Sequence, residues 1–162
     1  MKLKKQNNKV AIIMGSQSDH SIMKDCEKIL KILKVKYQTS IVSAHRTPKR
    51  MFDFADKAEK NGFGVIVAGA GGSAHLAGMV ASLTTLPVIG VPIESKKLKG
   101  LDSLLSVNQM PQGVVVATVA IDGAFNAGIL AASIIGNFDE KVKSNLEKWR
   151  RVQTQSIKKK PK

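Results

Sequence analysis

Three short clusters hold the residue types from which an acid–base site for an anionic molecule can be built. The first is Gly15-Ser16-Gln17-Ser18-Asp19, where a glycine permits a tight turn and hydroxyls and helix-start amides can meet an anion. Asp19 suits either of two roles, capping the helix that follows or accepting hydrogen bonds from sugar hydroxyls. The second is Ser43-Ala44-His45-Arg46-Thr47-Pro48. It sets a side chain that titrates near neutrality beside a planar guanidinium able to clamp phosphate or carboxylate. The third, Gly69-Ala70-Gly71-Gly72-Ser73-Ala74-His75, has three glycines in four positions, so backbone can lie against a flat ligand. His75, at the start of the next helix, is either a structural hydrogen-bonder or a second substrate contact.

Other chemistries find little support. The chain has no His-Glu-x-x-His, no paired carboxylates at useful spacing and no His/Cys cluster of metal-ligand type. A phosphate cradle ending in Gly-Lys-Ser/Thr is missing, and the third cluster does not follow the spaced-glycine pattern of dinucleotide sites. What the residues favour is a metal-free acid–base site for an anionic, phosphorylated, planar substrate. His20 reads as an incidental first-turn residue. Cys26, the only cysteine, lies on an apolar helical face with Ile22, Ile29, Leu30 and Leu33 and reads as core.

The elements that must position these clusters alternate along the chain. Five β-type runs are expected at 10–14, 38–42, 65–68, 88–91 and 114–119, several continuously apolar as in strands buried on both faces. Helices are expected at 19–34, 47–61, 74–84 and 124–135, with Pro48 tolerated in a first turn and Gly62 placed to close the second helix. A further amphipathic helix over 139–153 puts Val142, Leu146 and Trp149 on one face, to pack on its own subunit or on another. This order predicts an α/β fold, a parallel sheet with right-handed crossovers and helices on both sides. In such sheets ligands bind beyond the carboxyl ends of the strands, where all three clusters fall.

At 162 residues the chain suits a single domain, expected over 10–153 between basic tails at 1–9 and 154–162. The net charge of +14 is concentrated at the ends. Residues 1–9 carry four lysines and no acid, and 141–162 carry nine basic residues against Glu147, whereas 10–140 is within two charges of balance. Solvated tails therefore explain the charge better than a nucleic-acid surface, which would also call for exposed aromatics or a basic recognition helix. No apolar run approaches the ~20 residues of a membrane span, and residues 1–9 lack the apolar core of a secretory signal, so a soluble cytoplasmic protein is expected.

Taken together in order and spacing, the three clusters resemble the N5-carboxyaminoimidazole ribonucleotide mutase family, the class I catalytic subunits of phosphoribosylaminoimidazole carboxylase. The resemblance runs from about Val10 to Trp149 and includes Pro87-Val88-Ile89-Gly90-Val91-Pro92 and Ser106-Val107-Asn108-Gln109-Met110-Pro111-Gln112-Gly113. It implies a three-layer flavodoxin-like fold and a homo-octamer with sites at subunit interfaces. It implies that Ser16, Ser18, Asp19, Ser43 and Arg46 hold the ribose phosphate, and that Ala70, Gly71, Gly72 and His75 lie against the imidazole and its carboxylate. His45 would be the acid–base group in moving a carboxylate from the exocyclic nitrogen to a ring carbon, with no cofactor, metal or nucleotide. His45-Arg46-Thr47-Pro48 matches the mutase branch; the branch that uses free carbon dioxide carries lysine and glycine there. The stretch 120–127 is shorter than in some relatives. Alternatives of other kinds are that carbon-dioxide-dependent carboxylase, a non-catalytic flavin or nucleotide module, and a nucleic-acid binder driven by the basic ends.

Overall fold

The computed structural model describes residues 7–160. Most of the expected tail at 1–9, and the end of the one at 154–162, therefore lie outside the described residues. The strands are β1 (Lys9–Met14), β2 (Lys36–Ile41), β3 (Phe63–Gly71), β4 (Val88–Ile93) and β5 (Ala117–Thr118), and the helices are α1 (His20–Ile32), α2 (Pro48–Lys57), α3 (Leu76–Ala81), α4 (Leu101–Asn108), α5 (Ala124–Gly136) and α6 (Glu140–Ser156). All five strands are parallel and ordered β2-β1-β3-β4-β5. This is the expected three-layer α/β architecture, with the order reversal between β1 and β3 that opens a crevice at the carboxyl edge.

Strand periodicity assigns the two faces. Val10, Ile12 and Met14 of β1, Val65 and Val67 of β3 and Ile89 and Val91 of β4 pack against α1 and α5. Their neighbours Ala11, Ile13, Ile66, Ala68 and Val88 pack against α2 and α3. A strand covered on both sides must be apolar at every position, and from Val10 to Met14 none is exposed. Cys26 is fully buried in α1, where burial pushes its thiol up to about 12, so it is packing material and not a nucleophile.

Between α1 and α5 the backbones approach closely at Gly128, where a Cβ would stand 2.4 Å from Ile29 Cγ2 and 3.2 Å from the Cys26 carbonyl oxygen. The α6 helix folds back on its own chain. Trp149 packs on Phe125 with ring centroids 6.1 Å apart, and Asn145 Nδ2 donates to the Leu33 carbonyl at the end of α1. Its N-terminus is capped by Asp139, which accepts from the Lys141 and Val142 amides. The helix continues to Ser156, three residues past the expected end at 153.

The structure differs from the sequence expectations in several places. β2 begins at Lys36, and β3 runs on to Gly71, so Gly69 and Gly71 are strand and not loop. β5 is only two residues long, paired opposite Ile89 and Gly90; Val115, expected in it, is 80% exposed. The α4 helix was not expected. Leu101 and Leu105 point outward, while Ser103 and Val107 face the core, so the apolar residues are not gathered on the buried side. His20 is not free of partners: its Nε2 lies 3.2 Å from Glu27 Oε1, which also accepts from Thr39. Among the described residues no helix is long and apolar enough to cross a membrane.

Gly128→Ala should lower stability by about 1–3 kcal/mol through overpacking, although alanine is the better helix former. Urea unfolding would check this, and an unchanged or higher midpoint would show that α1 and α5 can separate without cost.

Candidate active site

The carboxyl ends of β1 to β4 open into one cavity of about 480 Å³. Gly15, Ser16, Ser18 and Asp19 line it from the β1 loop, Ser43 to Arg46 from the β2 loop, and Ala70 to Ser73 with His75 from the end of β3 and the start of α3. Each site residue singled out from the sequence is on this wall: Ser16, Ser18, Asp19, Ser43, His45, Arg46, Ala70, Gly71, Gly72 and His75. Glu94 and Ser95, after β4, complete it and were not foreseen. The only sequence signal for them is their place at the end of a strand.

The β1 loop is organised by Ser16. Its hydroxyl accepts from the Ser18 amide at 3.1 Å and touches the Ser18 hydroxyl, capping a 3₁₀ turn over Gln17–Asp19. Asp19 makes no side-chain capping bond and lines the cavity. Burial raises its pKa above the ordinary 3.8, even though hydrogen bonds from the Ser16 and Gly15 backbone and the Ser18 hydroxyl, and the charge of Arg46, act in the other direction.

The β2 loop closes on itself. Thr47 Oγ1 accepts from the Ser43 amide at 3.0 Å and donates to the Ser43 carbonyl at 3.1 Å. The buried Ser43 hydroxyl in turn accepts from the Arg46 amide at 3.2 Å, so Ser43 shapes the loop that carries Arg46. Arg46 Nη2 donates to the Gly15 carbonyl at 2.7 Å and ties the two loops together. Five N–H groups radiate from a guanidinium, so this bond leaves donors for an anion beside the hydroxyls of Ser16 and Ser18.

Across the cavity His45 Nε2 lies 2.9 Å from His75 Nδ1, with the rings edge to face at 84°. One N–H is shared between them, its owner set by the tautomers. Both rings are exposed in the single chain. Gly72 turns the chain away from β3 at φ +66°, a conformation that favours glycine. In the stretch 120–127, Asp122 has φ +57° and its Oδ1 accepts from the Glu94 amide at 2.9 Å, anchoring that wall.

The cavity thus has hydroxyls and a guanidinium at one end, from Ser16, Ser18 and Arg46, and two histidines at another, with backbone of Gly71 and Gly72 also on its wall. Comparison with known proteins gives the family. A family model described as AIR carboxylase matches residues 9–156. The chain belongs to the AIR carboxylase family. Relatives named N5-carboxyaminoimidazole ribonucleotide mutase include those of Thermotoga maritima, 58% identical with 88% of this chain and 86% of the relative covered, and Pyrococcus horikoshii, 52% identical over 99% and 90%. The relative of that name from Escherichia coli K12 is 50% identical, with 92% and 89% covered. A crystal structure of Treponema denticola PurE superposes with a TM-score of 0.85 at 28% identity, covering 92% of this chain and 93% of that one.

Asp19 supplies a test on the free protein. Its folded pKa is raised, so its contribution to stability is full below 3.8 and is lost as pH rises through the folded value. At neutral pH its buried charge is a cost. Asp19→Asn should therefore raise the urea midpoint of the ligand-free protein at pH 7, with the gain vanishing below about pH 3.8. A lower midpoint at pH 7 would show that the carboxylate is stabilising where it sits.

Proposed function

We propose that this chain is an N5-carboxyaminoimidazole ribonucleotide mutase of de novo purine synthesis. The observation that carries the reading is the separation of an anion-binding end from a histidine end within one cavity. Ser16, Ser18 and Arg46 take the phosphate, with Ser43 holding the Arg46 loop and Asp19 accepting from ribose hydroxyls. Ala70, Gly71 and Gly72 lie against the imidazole, with His75 at its carboxylate.

His45 as imidazolium protonates the exocyclic nitrogen as the nitrogen–carboxylate bond breaks and releases carbon dioxide. The ring carbon attacks that carbon dioxide, and neutral His45 removes the proton from the same carbon, so the enzyme ends in its starting state. The 2.9 Å bond to His75 holds the His45 ring in place between the two transfers. Confinement of carbon dioxide beside the ring supplies proximity, and acid–base help of this kind is worth about 10²–10⁴-fold. No cofactor or metal enters the scheme.

We further propose that the protein works in the cytoplasm as a homo-octamer with sites at subunit junctions. In the single chain both histidines are open to solvent. A groove of about 340 Å³ beside His75, lined in part by Met79, Met110, Pro111 and Val114, awaits a cover. Leu98, Leu101 and Leu105 are also about half exposed, at 57%, 52% and 48%. We propose one domain over 10–153 with basic tails as solvated ends.

A turnover assay on N5-carboxyaminoimidazole ribonucleotide, without bicarbonate, ATP or metal, tests the activity; product from aminoimidazole ribonucleotide plus carbon dioxide alone would place the chain with the carboxylases instead. His45→Asn should lower kcat by about 10²–10⁴-fold with the fold intact, and undiminished turnover would remove His45 from its role. Arg46→Ala should raise KM by about 10–100-fold, the loss of a charge-assisted bond. A fall in kcat alone would mean that Arg46 serves the chemistry and not the phosphate.

A further inference from the structure

The cavity wall at Gly72 and Ser95 is held from behind by two residues that do not line it. Ser103, fully buried on α4, accepts from the Gly72 amide at 2.9 Å and donates to the Ile93 carbonyl at 2.6 Å. One hydroxyl thus joins the end of β3, the end of β4 and the start of α4. Beside it, Asp102 Oδ1 accepts from the Ser95 hydroxyl at 2.7 Å and from the Ser103 amide at 3.0 Å. The wall behind is tight: a Cβ on Gly71 would stand 3.4 Å from the Ile93 carbonyl oxygen. The helix that presents both side chains starts on Gly100, whose φ of +86° makes the entry turn.

We propose that Ser103 and Asp102 are positioning residues of the reaction, fixing the Gly72 turn and Ser95 as the platform on which the planar ring is aligned with His45. This rests on the mutase reading. The Gly72 amide is committed to Ser103, so the turn meets the ring with its flat backbone and not with that N–H. Removing the Ser103 hydroxyl leaves the Gly72 amide and the Ile93 carbonyl to find new partners, and the turn must move to do so. A shift of about 1 Å in a reacting ring costs on the order of 10²-fold in rate. The phosphate end is held by the β1 and β2 loops and shares no atom with this network, so binding should be spared.

Ser103→Ala and Asp102→Ala should therefore lower kcat about 10–100-fold while KM stays within about twofold. Asp102→Asn, whose amide oxygen can still accept both bonds, should recover most of the loss. A purely structural role predicts lower thermal midpoints with kcat per folded molecule unchanged, and that result overturns the proposal. So does an Asp102→Asn variant as impaired as Asp102→Ala, or a KM that rises as kcat falls. If Ser103→Ala does not fold, the two Asp102 variants decide alone. A wild-type protein inert on the substrate overturns the mutase reading, and the positioning role with it. An active wild type with unaffected variants overturns only the latter.

Discussion

Parallel pairing is the constraint on which the site depends. In a β2-β1-β3-β4-β5 sheet every strand ends at the same edge, so the segments after β1, β2, β3 and β4 converge although they are far apart in sequence. The ladder is held by β1, β3 and β4, apolar strands buried on both faces, and by glycines where helices press closest. Gly69 is one of these: a Cβ there would fall 2.3 Å from Met23 Sδ of α1. The strand edge is thereby set rigidly enough that loops need only local hydrogen bonds to finish the geometry.

Those local bonds divide the cavity by charge. The bond from Arg46 to the Gly15 carbonyl fastens the β2 loop to the β1 loop, and the Ser43–Thr47 pair keeps the arginine's backbone in register. A fixed cation with hydroxyls on one side favours a doubly charged phosphate. A pair of imidazoles on the other side can both donate and accept a proton. Neither end would perform the proposed reaction alone; what matters is that one rigid sheet edge holds both.

Much of this was readable in the sequence, because turn chemistry and strand runs are local signals. Ser16, His45 and Arg46 closely follow β-type runs, and such positions face a crevice in any α/β sheet. The unread parts share a cause, dependence on distant packing. Ser103 and Val107 face inward on α4 while Leu101 and Leu105 face out, so its pattern suggested no buried helix face. Met23 is fully buried although Ile22, beside it, was taken for the core position, because the space beside Gly69 decides which side chain enters. The apolar stretch 114–119 pairs only opposite Ile89 and Gly90, which composition cannot reveal. Glu94 and Ser95 carry no motif and are found only once β4 is placed.

The most direct measurement of the central claim is a crystal structure with a bound phosphoribosyl imidazole. The account predicts the phosphate among Ser16, Ser18 and Arg46, the ring flat on Gly71 and Gly72, and His45 within hydrogen-bonding reach of the exocyclic nitrogen. A ligand in the opposite sense, or bound outside this cavity, would contradict the division of the site on which the mechanism rests.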